Sequence, residues 1–303
     1  MAAPGAGSAA YPSPRALLEK YGLRAKKSWG QNFLGDDGIL SEIARLAAPS
    51  PGALVVELGA GLGHLTARLV ARGARVIAVE RDREMAAVLR GELGDRVELL
   101  EADAARLDYG ELARRWGTTT TTSTSTSTKL SVVGNLPYHL TSPILFSLLD
   151  QVEPVARAVF LLQREVAERL AAAPGTKDFG LLSVLVQREA DVSVERIVPP
   201  GAFLPPPKVE SAVLCAIFRP PPDAVADPVR FRRLVKAGFA RRRKTLGNAL
   251  RAARLAPEEA LAAALERAGI EPGRRGETLT PAEWAALDRG LGSSPELPRA
   301  PTR

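Results

Sequence analysis

Between residues 53 and 170, short β-branched runs and amphipathic helical stretches follow one another in strict turn. This alternation constrains the fold more than any other feature of the chain. Strands are predicted over 53–58, 75–79, 97–100, 130–133 and 156–162, and helices over 65–72, 84–92, 144–149 and 163–170. Ser142 is the expected N-cap of the third of these helices, with Pro143 at its first helical position. Strand and helix in turn build right-handed βαβ units, so an α/β fold with a mostly parallel sheet is expected. Residues 209–218 alternate inward and outward positions and read as a late antiparallel strand. Pro220, Pro221 and Pro222 then punctuate the chain, and from Phe231 onward the pattern is helical without a strand candidate. A boundary near residue 220 follows, dividing a domain over 25–219 from an all-helical one over 220–290.

The 303 residues suit about two domains. Ala, Gly, Pro and Ser dominate the ends, so 1–24 and 291–303 are expected to be flexible, as is the Thr/Ser tract at 118–128. A single cysteine, Cys215, cannot form an internal disulfide, and with His64 and His139 as the sole imidazoles no structural zinc site of ordinary type is expected. No apolar run long enough to span a bilayer occurs, so a cytoplasmic chain without a membrane anchor is expected. The net charge is +7, but residues 196–256 alone carry 13 Lys/Arg against three acids, which leaves the remainder net acidic. Such concentration points to one region that meets a polyanion.

After the first strand comes the turn Glu57-Leu58-Gly59-Ala60-Gly61-Leu62-Gly63-His64. Glycines there let backbone N–H groups approach a ligand. A nicotinamide-dinucleotide fingerprint would need glycine where His64 stands, and Glu57 suits a cationic amine better than a pyrophosphate. Glu80 closes the second strand, where a carboxylate accepts from both ribose hydroxyls, and Asp103 follows the third, near the place for an adenine amino group. Parallel sheets bind ligands at the carboxyl ends of their strands, so Gly59, Glu80 and Asp103 converge on one crevice.

Asn135-Leu136-Pro137-Tyr138 ends the fourth strand beside the same crevice. The lone pair of an exocyclic amine is delocalised into its ring. The Asn135 carboxamide oxygen and a backbone carbonyl fixed by Pro137 could accept its two N–H bonds and leave that lone pair aimed at an electrophile. Tyr138 would stack on the extruded base. Phe203, held before Pro205, Pro206 and Pro207, could cover the second face of the base, the other place for such a ring being the core. Residues 231–244 carry seven Lys/Arg and no acid, with Leu234, Val235 and Phe239 able to pack inward while the basic side chains lie along phosphates.

With these motifs assembled, the chain resembles the bacterial ribosomal RNA small-subunit adenine dimethyltransferase family over roughly residues 25–290. The matching stretches are 26–34 (KKSWGQNFL), the Glu57–Gly63 turn, Glu80, Asp103, Asn135–Tyr138, 203–209 (FLPPPKV) and 241–246 (RRRKTL). The resemblance implies a Rossmann-like class I methyltransferase domain over 25–219 and a small helical RNA-binding domain after it. It implies S-adenosylmethionine held by Asn32, Leu34, Gly59, Glu80, Asp103 and Asn135. Asn135, Leu136, Pro137, Tyr138 and Phe203 would serve the reaction, without a metal. Arg241, Arg242, Arg243 and Lys244 would meet RNA. The implied substrate is two adjacent adenosines in a hairpin loop near the 3′ end of 16S rRNA, within a small-subunit assembly intermediate, with no obligate protein partner. Departures are Ala60, where relatives often carry proline, His139, where they often carry asparagine, and the Thr/Ser tract. The rival readings are a large-subunit rRNA methyltransferase conferring antibiotic resistance and a non-catalytic ribosome assembly factor.

Overall fold

The computed structural model describes residues 11–117, 129–225, 227–241 and 243–292. The tract at 118–128 and the tail from 293 lie outside the described residues. The chain divides into two compact units, Met1–Arg164 with Val194–Ile217, and Glu165–Ser193 with Phe218–Arg303.

The first unit is built on a sheet. Its strands are β1 (Phe33–Leu34), β2 (Leu54–Leu58), β3 (Arg75–Val79), β4 (Glu98–Leu100), β5 (Leu130–Asn135) and β6 (Val155–Gln163), followed by β7 (Ala190–Val198), β8 (Phe203–Leu204) and β9 (Ser211–Phe218). Seven of them are ordered β4-β3-β2-β5-β6-β9-β7. Pairs β2–β3, β3–β4, β2–β5 and β5–β6 are parallel, and β9 runs antiparallel to β6, as the late-strand reading expects. β2 is buried at all five positions, which is why Leu54, Val55 and Val56 run together instead of alternating with polar residues. The chain winds from β2 outward through β3 to β4, then returns to β5 on the other side of β2. That reversal opens a crevice at the carboxyl ends of β2 and β5. Gly134 permits the two ends to meet, since a Cβ there would lie 2.5 Å from the Leu58 carbonyl oxygen.

Helices α1 (Pro14–Lys20), α2 (Asp37–Ala47), α3 (His64–Ala71), α4 (Arg83–Leu93), α5 (Tyr109–Gly117) and α6 (Thr141–Leu149) belong to this unit. Asp36 and Asp82 cap α2 and α4 by accepting from Ile39 N–H and Glu84 N–H. Two expectations need correction. Residues 11–24 are not a loose leader: Ser13 caps α1 and Leu17 is fully buried with Phe33, Leu62, Met85 and Val88. Seven residues, about two turns of helix, are too few to show a helical period. Ser142 does not cap α6, because a 3-10 turn over Tyr138–Leu140 runs directly into the helix and leaves Leu140 at the cap. Strand β7 was not anticipated, since its solvent-facing positions interrupt any apolar run.

The second unit holds α8 (Leu181–Glu189) and, after α7 (Arg164–Ala171), the helices α9 (Pro228–Phe239), α10 (Leu246–Ala253), α11 (Glu258–Arg267) and α12 (Pro281–Gly290). Residues 165–193, which include the first residues of β7, group with these helices, which moves the expected boundary. The cause is an aromatic and ionic core: Phe179, Phe239 and Trp284 stand in series with ring centroids 6.5 and 5.9 Å apart. Arg188 donates to Asp223 O (2.8 Å), and Arg219 donates to Arg188 O and Gln187 O. Arg230 pairs with the fully buried Asp288 at 3.0 Å and is a structural cation.

Candidate active site

The turn after β2 places Gly59, Gly61 and Gly63 in left-handed backbone conformations, with φ of +69°, +55° and +84°. L-residues with side chains rarely adopt these angles, so the loop folds tightly against the sheet edge before α3 begins. Gly61 N–H donates to Glu80 Oε2 at 2.8 Å, and Asp82 N–H donates to Glu80 Oε1 at 2.7 Å. The carboxylate at the end of β3 is thereby fixed against the glycine turn. Burial raises its pKa, and the backbone donors oppose the rise.

Two cavities of about 130 and 300 Å³ lie at this edge. Together they reach the size that encloses a small molecule. Asn32, Leu34, Glu57, Gly59 and Asn135–Tyr138 line the first; Gly59, Glu80, Asp103, Leu136 and Pro137 line the second. Gly59, Glu80, Leu136 and Pro137 border both, so the residues expected from sequence to hold the cofactor do converge. Asp103 caps a short turn by accepting from Ala105 N–H at 3.0 Å and lies 3.4 Å from Arg81.

Asn135, at the last position of β5, donates through Nδ2 to Asn32 O at 2.8 Å. That bond fixes the orientation of the amide and leaves Oδ1 as an acceptor. Asn32 in turn donates to Gly30 O at 3.1 Å. The Tyr138 hydroxyl and Ser211 Oγ lie 3.0 Å apart, which ties the tetrapeptide to the start of β9.

Glu57 is 2% exposed, and its Oε2 has no hydrogen-bond partner among the described residues. Burial pushes its pKa up to about 8. A buried carboxyl with an unused oxygen beside a cavity fits a cationic ligand, whose charge would compensate its desolvation. The cofactor expected from sequence carries such an amine, so the donor set fits it.

Phe203 stands elsewhere than expected. Its ring is 6% exposed and packs in the core with Leu34, Ile43 and Val198, because β8 pairs antiparallel with β1 and turns it inward. It does not line either cavity. Of the basic segment, Arg241, Arg243 and Lys244 are exposed, and Arg242 lies outside the described residues. The sequence reading missed the clamp beneath the 26–34 motif. Lys26 Nζ and Gln31 Nε2 both donate to Asp82, at 2.8 and 2.9 Å. It also missed Tyr11, whose hydroxyl donates to Leu62 O at 2.8 Å behind the glycine turn. Neither follows from local periodicity, since both join segments more than 50 residues apart.

Comparison with known proteins gives a consistent picture. The family model described as ribosomal RNA adenine dimethylase matches residues 22–289. A protein from Anaeromyxobacter sp. (strain K), ribosomal RNA small subunit methyltransferase A, is 74% identical over 282 residues, covering 93% of this chain and 99% of its own. The protein of that name from Myxococcus xanthus is 51% identical, with 92% and 95% covered. A solved structure of the 23S rRNA methyltransferase ErmE superposes with a TM-score of 0.62 at 27% identity, covering 86% of this chain and 99% of that one. A dimethyladenosine transferase from Plasmodium falciparum superposes at 0.66, covering 84% and 95%; at 22% identity it supports the fold alone.

Proposed function

Because this chain belongs to the ribosomal RNA adenine dimethylase family, we propose a division of labour among its crevice residues for the reaction of that family. The protein is an S-adenosylmethionine-dependent methyltransferase that dimethylates adenine of small-subunit ribosomal RNA. When bound, the cofactor supplies an electrophilic methyl on a sulfonium that is already a good leaving group. Glu80 and Asp103 would accept from its ribose hydroxyls and adenine amine, the glycine turn would receive its amino-acid end beside Glu57, and Asn32 and Leu34 would close the first cavity.

The single observation that carries the assignment of the reacting centre is the bond from Asn135 Nδ2 to Asn32 O, 2.8 Å long. It presents Oδ1 as an acceptor for one N6–H of adenosine, while the carbonyl of Leu136 or Pro137 accepts the other. Both hydrogen bonds localise the amine lone pair in line with the methyl, and alignment of this kind supplies much of the acceleration. Tyr138, held at Ser211, would stack on the base. No strong general base is required, because N6 becomes acidic as its new bond forms and water takes the proton.

We assign the substrate as two adjacent adenosines in a hairpin loop near the 3′ end of 16S rRNA, presented in an assembly intermediate. Arg241, Arg242, Arg243 and Lys244 would lie along its phosphates. This substrate places the reaction in the cytoplasm, and no helix among the described residues is long and apolar enough to cross a membrane. Identities of 74% and 51% to small-subunit enzymes against 27% to a large-subunit one favour the small subunit over the resistance reading. Retention of Asn135, Tyr138, Glu80 and Asp103 together argues against a lapsed enzyme acting only in assembly. Mass spectrometry of 16S rRNA from a deletion strain tests the substrate: the two dimethyladenosines should be absent, and their persistence would remove the assignment.

A further inference from the structure

The 26–34 motif contains a side chain, Trp29, to which the cofactor contacts proposed above give no role. Trp29 ends a short turn whose backbone is fixed on both sides. Its N–H and that of Gln31 both donate to Lys26 O, at 3.0 and 3.4 Å, and Lys26 N–H donates to Gln31 Oε1 at 2.8 Å. Trp29 is 41% exposed, the one aromatic among the exposed large apolar residues of the described chain. It borders both cavities, and His139 shares the second with it. Holding an indole in water on a rigid turn at the mouth of a site loses the hydrophobic gain of burying it, and such a ring is suited to a planar partner.

Two cations flank the ring. Lys26 Nζ lies 5.3 Å and the Arg81 guanidinium carbon 5.7 Å from its centroid. The charge of Lys26 is matched by Asp82 and Glu84 at 2.8 and 2.6 Å. Arg81 is different: its side chain is 63% exposed, and its contact with Asp103 is long at 3.4 Å. S-adenosylmethionine carries no phosphate, and its one anion, the carboxylate, belongs to the amino-acid end received beside Glu57, so an exposed guanidinium at Asp103 suits a different ligand. A nucleotide offers both a π-face for the indole and a phosphate for the guanidinium.

Building on the RNA reading above, we propose that Trp29 is the platform on which an unpaired base neighbouring the reacting adenosine stacks, with Arg81 turning to that nucleotide's phosphate. Trp29 is then a positioning residue for the substrate. Stacking is made equally in the ground and transition states, so its loss raises KM and spares kcat.

The test compares wild type, Trp29→Ala and Trp29→Phe in steady-state methyl transfer to small ribosomal subunits that lack the modification, with S-adenosylmethionine affinity measured separately by calorimetry. KM for the subunits should rise about tenfold in Trp29→Ala and stay within about threefold of wild type in Trp29→Phe. kcat and the cofactor Kd should hold in both. An unchanged KM in Trp29→Ala overturns the proposal. So does a cofactor Kd that weakens in step with KM, which would make the indole a wall of the cofactor pocket. A wild type that transfers no methyl to these subunits overturns the substrate reading and the platform with it, and is told apart because the other failures require an active wild type.

Discussion

The crevice at the ends of β2, β3 and β5 and the basic segment after α9, both proposed above to act on one RNA, are built in opposite ways. In the crevice Glu80 and the Asn135 amide nitrogen are committed before any ligand arrives: Glu80 holds two backbone N–H groups, and Asn135 is fixed by Asn32 O. After α9, Arg241, Arg243 and Lys244 are exposed to solvent. On the proposed reading, the difference separates specificity from affinity. A fixed acceptor selects one amine in one orientation, whereas exposed charges act on any phosphate and can be exchanged for one another.

Changing Asn135 to alanine should break the comparison on the crevice side with the largest effect. Removing the fixed acceptor should slow single-turnover methyl transfer at least about a hundredfold, while RNA affinity changes little. A rate within a few-fold of wild type would show that the tetrapeptide is only structural.

On the other side, replacing Arg241, Arg242, Arg243 and Lys244 together with glutamine should weaken RNA binding and flatten its salt dependence by up to about 3 log-log units. Transfer at saturating RNA should largely recover. Filter binding at several salt concentrations measures both, and parallel salt plots would make these side chains a solvated surface.

Glu80→Ala and Asp103→Ala sharpen the contrast within the crevice. Each leaves ligand hydrogen-bonding groups unpaired and should cost about 1–3 kcal/mol of cofactor affinity by calorimetry, with RNA salt dependence unaltered. Asp103→Ala should show the smaller loss, since Asp103 is more exposed.

The smallest effect concerns stability. Glu57 has its pKa raised in the folded chain to about 8, so between the ordinary carboxyl range and about 8 the folded state binds more protons than the unfolded one. Stability therefore falls as pH rises through that window. Glu57→Gln should abolish this part of the slope and raise Tm at pH 8 by a few degrees relative to wild type, with little difference at pH 5. Equal Tm differences at both pH values would mean that Glu57 is ionised in the empty protein.

How much of this was legible follows the range of the interactions. The strands from β2 to β6 were readable because each is a local β-branched run between glycine and helix signals. Gly59, Glu80, Asp103 and Asn135 were readable because they sit at consecutive strand ends, which a parallel sheet brings to one edge. The burial of Leu17, the inward turn of Phe203 and the grouping of residues 165–193 with the helical unit were not. Phe203 precedes three prolines in either reading, and only its pairing with β1 decides that the ring faces the core. Likewise Tyr11 and Lys26 give no local sign of their partners Leu62 and Asp82, because those contacts exist only once distant segments have packed. The sequence by itself determined the layer architecture and the chemistry of the crevice, both set by short-range patterns repeated along the chain. Tertiary structure alone decided which side chains close the crevice and which are consumed by the core, since that choice depends on register and packing between elements far apart in sequence.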